Sequence, residues 1–307
     1  MNRWAWLALG CGGVLACIGL AALAFTAGGL GALFALSEPT ATLPPSPTPL
    51  PASTATLMAA SHVPIESTVQ IWAMAAREGA LERTWSGSGS IISPDGLILT
   101  NAHVVLPDEI FPVDALQVWV TVAADQPPVP SYYAAVLQAD RALDLAVIRI
   151  SSDINYNALN FATLDLPAVA LADSDLLEIG QDLIILGYPG IGGATITLTS
   201  GKVAGFTGEP AFGERAFIKT SATIAGGNSG GLAANERGEL VGVPTQLGYG
   251  GNDQFVDCRV LADTNGDGRV DDRDACVPTG GFINALRPVN LARPMIERAR
   301  AGQISVP

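Results

Sequence analysis

Positive charge is scarce in this 307-residue chain, where 16 Lys and Arg stand against 29 Asp and Glu for a net charge of −13. A polyanion such as DNA or RNA would be repelled on average, so nucleic-acid binding is excluded. Charge of either sign is low at 15%, yet 49% of the residues are hydrophobic, which excludes wholesale disorder. Cysteine is sparse as well: Cys11 and Cys17 lie in an apolar stretch, Cys258 and Cys276 around an acidic loop. A chain of this length buries a core without the staples of a mini-protein, so the two pairs need separate explanations. Histidine is limited to His62 and His103. Turn formers are what the chain has in quantity, with Gly 34 and Pro 21, a balance that favours short strands and an all-β fold.

No charge appears between Arg3 and Glu38, and the apolar run from Trp4 to Leu36 exceeds the roughly 20 residues that cross a bilayer. Residues 1–36 read as a single transmembrane anchor. With Arg3 as the only preceding charge, the positive-inside rule keeps the N-terminus cytoplasmic and everything after Leu36 extracytoplasmic. A cleaved signal peptide with its site at Ala22-Leu23-Ala24 is the rival, although the apolar run continues well past it. Cys11 and Cys17 then sit at lipid depth as small apolar fillers. Residues 37–61, rich in Pro, Ser and Thr, cannot bury a core and extend as a spacer. His62 reads as an exposed residue at the end of that linker, and residues 62–307 form the globular domain.

Within the globular part, short runs rich in Val, Ile, Leu and Thr recur between Gly, Pro, Asp and Asn punctuation. Strands are expected over 68–73, 89–93, 97–100, 116–122, 134–138, 145–150, 183–186, 195–206, 216–220 and 240–243. Ser93-Pro94-Asp95-Gly96 predicts a hairpin turn. Only the end looks helical, where Val289, Leu291, Ile296 and Ala299 stripe one side of an Arg-rich segment closing near Gly302.

Three segments carry chemistry: TNAHVV at 100–105, ALDLAVI at 142–148 and GGNSGG at 226–231. A serine nucleophile needs a base within hydrogen-bond reach, and the base needs a carboxylate to fix its tautomer and balance its charge. His103, Asp144 and Ser229 supply the three groups. Asp144 stands at the mouth of an apolar strand, where a partly desolvated carboxylate seeks a donor. The glycines around Ser229 let backbone N–H groups turn inward, so the Gly227 and Ser229 amides are candidates for an oxyanion hole.

The chain order His, Asp, Ser resembles the chymotrypsin-fold serine proteases, and the fuller set of segments resembles the HtrA (Deg) branch. The matching stretches are GSGSIIS at 87–93, DGLILTNAHVV at 95–105, DLAVI at 144–148, LGYPG at 186–190, TLTSGKVAGF at 197–206, GNSGG at 227–231 and GELVGV at 238–243. The resemblance implies two six-stranded antiparallel barrels with the triad in the cleft between them, a C-terminal helix, and protein or peptide substrates. It also implies a primary specificity pocket formed by Thr223, Ile224 and Val243. No acidic residue stands near Thr223, which favours small or medium aliphatic side chains over Arg or Lys. Secreted zymogens of this fold carry an Asp before the serine to pair with a freshly cut amine; Asn228 cannot form that pair, so activation by proteolysis is not expected. A PDZ domain, usual in the branch, is not expected before Pro307, and oligomerisation is not carried over. The runner-up is a non-catalytic holdase or calcium-dependent binding module on the same fold.

A further motif lies at 263–274, where Asp263, Asn265, Asp267, Asp271 and Asp274 occupy positions 1, 3, 5, 9 and 12 of an EF-hand-like loop. Gly268 takes position 6, and the carbonyl of Arg269 would supply position 7. The pattern resembles a dockerin loop and predicts a structural or regulatory Ca²⁺; none is required for the chemistry. In an oxidising compartment a Cys258–Cys276 disulfide would close the insertion at 258–276. The resemblance places this insertion beside the specificity pocket, and the anchor, linker and resemblance together suggest a bacterial membrane.

Overall fold

A computed structural model describes residues 63–246, 258–260, 262–271, 273–275, 277–278 and 283–307. The expected anchor at 1–36, the linker at 37–61 and His62 lie outside these residues. Among the described residues no helix is long and apolar enough to cross a membrane.

The first barrel contains β1 (Thr68–Arg77), β2 (Ala80–Ile91), β3 (Leu97–Thr100), β4 (Ala115–Val120), β5 (Val129–Asp140) and β6 (Leu145–Asp153). It closes in the order β1-β2-β3-β6-β5-β4 with antiparallel pairs throughout. The expected turn is formed: the Gly96 amide donates to the Ser93 carbonyl at 3.1 Å, and Gly96 takes φ 90°, a conformation open to glycine. Between β3 and β4 a single helical turn, α1 (Ala102–Val105), carries His103.

The second barrel is built from β7 (Asp182–Gly187), β8 (Thr197–Glu209), β9 (Gly213–Thr220), β10 (Leu232–Ala234) and β11 (Leu240–Gln246), with a two-stranded excursion of β12 (Cys258–Arg259) and β13 (Val277–Pro278), and then β14 (Asn284–Pro288). It closes as β10-β11-β14-β9-β8-β7, again antiparallel. All ten expected strands have counterparts here. The two barrel strands not anticipated are β10, too short to show alternation, and β14, whose Asn-Ala-Leu-Arg-Pro sequence reads as a loop although all five residues are buried. Strand β8 begins at Thr197 rather than Thr195.

Each barrel has its own apolar filling, Val69, Ile71, Ile98, Val118 and Ile148 in the first and Leu183, Ile185, Val203, Ile218 and Val241 in the second. A third cluster joins them. It collects Leu97, Leu99, Leu145 and Val147 from the first barrel, Leu186, Leu232 and Val243 from the second, and one face of α2 (Val289–Arg300). Val289, Ala292, Met295, Ile296 and Ala299 are buried on that face, so the helix clamps the two barrels together; Leu291 is only half-buried. The clamp continues into the tail, where Ser305 exchanges backbone hydrogen bonds with Leu137 and Ala139 of β5.

Candidate active site

Asn101 precedes α1 and is fully buried, so its amide must find partners. Its Nδ2 donates to the Asp144 carbonyl at 2.7 Å and to Thr245 Oγ1 at 2.8 Å. This one side chain ties the β5–β6 turn of the first barrel to the end of β11 in the second. Asp144 itself adopts φ 53°, a left-handed conformation that Asp tolerates better than most residues. The twist aims both carboxylate oxygens at His103: Oδ1 accepts the His103 backbone N–H at 3.0 Å and Oδ2 meets Nδ1 at 2.8 Å. A carboxylate only accepts, so the ring proton sits on Nδ1 and Nε2 is left with a lone pair. The His103 ring is about half exposed (49%) and Asp144 less so (22%), an orienting pair open on one side to solvent.

Ser229 reaches the same place from the second barrel. Gly87 marks the convergence: a Cβ there would lie 2.6 Å from Val104 Cγ2, beside His103, and 3.1 Å from the Ser229 carbonyl. The Ser88 amide donates to that carbonyl at 2.8 Å. Among the described residues no hydrogen bond joins Ser229 Oγ to His103 Nε2, a contact that commonly tightens only when substrate is bound.

The loop around Ser229 is pinned at successive carbonyls. The Gly226 carbonyl accepts from Gly190 N–H (2.8 Å), that of Gly227 from Ser88 Oγ (2.7 Å), that of Asn228 from Gly231 N–H (2.9 Å) and that of Ser229 from Ser88 N–H. The Asn228 amide donates to Ala225 and the Gly230 amide to Pro244. The Gly227 and Ser229 amides, like that of Gly226 before them, have no acceptor among the described residues, and each of the two follows a carbonyl that is itself held. In a planar trans peptide the N–H points opposite its carbonyl, so fixing the Gly226 and Asn228 carbonyls fixes the direction of these two donors. Such a pair can stabilise negative charge developing on a carbonyl oxygen. Gly227, at φ 102°, admits no side chain, since a Cβ would lie 2.4 Å from the Tyr188 carbonyl.

A family profile described as the trypsin-like peptidase domain matches residues 87–243, half of the chain. The chain belongs to the trypsin-like peptidase family. It is 33% identical over 184 residues to a human protein named serine protease HTRA4, covering 57% of this chain and 33% of that protein. It is 36% identical over 168 residues to a probable periplasmic serine endoprotease, DegP-like, of Marinomonas sp., covering 54% of this chain and 30% of that one. A DegP-like protein of Chlamydia pneumoniae matches at 35% over 167 residues, 54% and 30% of the two chains. The chain spans about a third of the length of these curated relatives.

In this trypsin-like peptidase domain a cavity of about 400 Å³ lies immediately before the Ser229 loop, lined by the segment 221–225 with Ile191 and Asn284. Thr223 and Ile224 line it, and no carboxylate is among its described lining residues. Val243 does not: it is fully buried in the cluster between the barrels, because the alternation of β11 turns it inward. Asn284, whose amide donates to the Ala222 carbonyl at 2.8 Å, was not foreseen. Asn101 and Ser88 were also missed as site residues, although both are polar residues inside strongly apolar surroundings, the one sequence sign of a buried bracing group.

The acidic loop was expected to follow an EF-hand-like pattern. Its turns are those of the pattern, with Gly268 at φ 83° and Asp263 accepting the amides of Gly266 and Gly268 at 2.6 and 2.7 Å. Asp274 is buried and accepts the amides of Thr264 and Asp271, which holds its carboxyl below the usual carboxylate range, the Asp271 amide contributing most. Asp271 is lowered as well, chiefly by the Arg273 guanidinium. That guanidinium lies 2.6 Å from Asp271 and 3.3 Å from Asp267. Among the described residues no three His, Cys, Asp or Glu side chains gather as a metal site needs. The predicted set of Asp263, Asn265, Asp267, Arg269, Asp271 and Asp274 has the oxygen chemistry that suits Ca²⁺, and Arg273 reaches two of its carboxylates. The backbones of Cys258 and Pro278 pair across β12 and β13, bringing the ends of the insertion together; the Cys258 and Cys276 side chains lie outside the described residues.

Proposed function

We propose that this chain is a serine endopeptidase in which Ser229 is the nucleophile, His103 the general base and acid, and Asp144 the orienting carboxylate. His103 Nε2 takes the Ser229 hydroxyl proton as Oγ attacks the scissile carbonyl, and the resulting oxyanion is received by the Gly227 and Ser229 amides. The same proton passes to the leaving amine, and a water activated by His103 then hydrolyses the acyl-enzyme. The observation that carries the reading is the pair of Gly227 and Ser229 amides, without acceptors among the described residues and aimed by carbonyls that are held, on a loop that meets the His103 turn across Gly87. The cavity before the loop supports an aliphatic residue on the acyl side of the cleaved bond.

Labelling of the full chain by a fluorophosphonate tests this: the wild type is expected to react and Ser229→Ala to be inert. Labelling that persists in Ser229→Ala would assign the reactive serine elsewhere. Two of the relatives carry periplasmic names, which supports an extracytoplasmic domain tethered through the apolar run ending at Leu36. Recovery of the full chain with membranes is expected, whereas soluble recovery points to cleavage near Ala24.

A further inference from the structure

We infer that the Ser88 hydroxyl is a positioning residue that sets the direction of the Gly227 amide; this inference rests on the endopeptidase reading above. Ser88 belongs to β2 of the first barrel and is completely buried. Its Oγ donates to the Gly227 carbonyl at 2.7 Å and accepts the Tyr188 backbone N–H at 2.8 Å, partners 139 and 100 residues away. One hydroxyl thus has its donor and an acceptor position committed to two separate segments of the second barrel.

Both segments bear on the same peptide. The Gly226–Gly227 unit, which carries the Gly227 N–H, is held at its carbonyl by the Gly190 amide. Gly190 follows Tyr188 by two residues, with Pro189 between them fixing one of the intervening torsions. Anchoring the Tyr188 amide on Ser88 therefore places Gly190. The adjoining Gly227–Asn228 unit is held by Ser88 Oγ directly. Gly227 is a glycine at φ 102°, so without these restraints its flanking peptides rotate with little steric opposition. The far end of the brace is equally fixed: the buried Tyr188 hydroxyl meets Thr121 Oγ1, which also bonds the Thr68 carbonyl of the first barrel.

The space around Ser88 is shaped to it. A Cβ on Gly187 would come within 3.0 Å of its Oγ, and one on Gly231 within 3.2 Å of its Cβ. The residue touches no reacting atom; it acts through the peptides it holds.

The test compares wild type, Ser88→Ala and Thr84→Ala in the full chain. Thr84 also lies in β2, where its hydroxyl bonds the Ala73 carbonyl at 2.8 Å away from the nucleophile loop, so it controls for loss of a hydroxyl. Ser88→Ala is expected to lower kcat about 10- to 100-fold, less than outright removal of an oxyanion donor, with KM within about twofold of wild type. Affinity for a peptidyl trifluoromethyl ketone, whose hemiketal oxygen reads the two amides, should fall by the same factor. Thr84→Ala should keep both constants. Retention of kcat and ketone affinity in Ser88→Ala would overturn the inference, as would a loss confined to KM. If Ser88→Ala does not fold, Ser88→Cys, with a weaker donor in nearly the same place, should show the same split at smaller size. An unreactive, inactive wild type would instead sink the endopeptidase reading itself.

Discussion

At the scale of single residues, the site depends on side chains placed by bonds across the chain. Asp144 spends one oxygen on the His103 backbone and the other on its ring. Asp144→Asn keeps the volume but can present an N–H to Nδ1, favouring the wrong tautomer. Turnover is expected to drop about 10³- to 10⁴-fold with the melting temperature nearly unchanged, measured by kcat on a peptide substrate and by thermal denaturation. His103, Asp144 and Ser229 stand out in the sequence because their types and order are restrictive, and hydrogen bonds join the first two. Ser88 does not, since its role lies in two hydrogen bonds to residues 100 and more positions away. Val243 was misplaced for a related reason: alternation shows that a strand has two faces, not which one meets a cavity.

At the scale of elements, the short 3-10 turn Ser174–Leu176 and helix α2 are joined by Asp173. Its carboxyl is held below the usual range, first by the Asn290 side chain, then by the Asp175 amide and the Arg293 charge. A depressed folded-state pKa means that the stabilisation exists above the unfolded value near 4 and is lost as pH falls through the folded one. Melting temperature is therefore expected to decline between about pH 5 and pH 3, and less steeply in Asp173→Asn; Asp108 and Asp153, lowered too, keep the slope from vanishing. The acidic loop permits a different check. A calcium ion held by the predicted set would have to displace Arg273 from Asp267 and Asp271, so titration calorimetry is expected to show tighter binding in Arg273→Gln than in wild type. Equal affinities would mean that the guanidinium does not compete. The motif's spacing was readable; the competing cation, sitting inside the motif at Arg273, was not weighed by spacing alone.

At the scale of the whole molecule, one guanidinium crosses between the barrels. Arg287 of β14 is 3% exposed, pairs with Glu209 at 2.8 Å, donates to the Ala216 carbonyl at 3.1 Å and lies 3.7 Å from the centre of the Phe217 ring. Its other arm reaches Ala142, two residues before Asp144, at 3.3 Å. Arg287→Ala leaves Glu209 without its partner and removes the strut under the Asp144 turn. It should cost about 3 kcal/mol in denaturant unfolding and lower kcat as well, while a purely local ion pair would spare kcat. Arginine in a buried strand is also why β14 escaped notice: hydrophobic patterning finds strands by the residues they bury, and this one buries a charge.

The partition of the machinery has a temporal consequence. His103 and Asp144 belong to the first barrel and Ser229 to the second, yet that second barrel closes only when β14 inserts between β9 and β11. During synthesis Ser229 emerges well before β14, the strand that completes its barrel, and helix α2, which clamps the halves, emerges after that. On the endopeptidase reading, a growing chain therefore acquires its capacity to cut only once β14 and α2 are seated, so the order of assembly shields the chain and its neighbours.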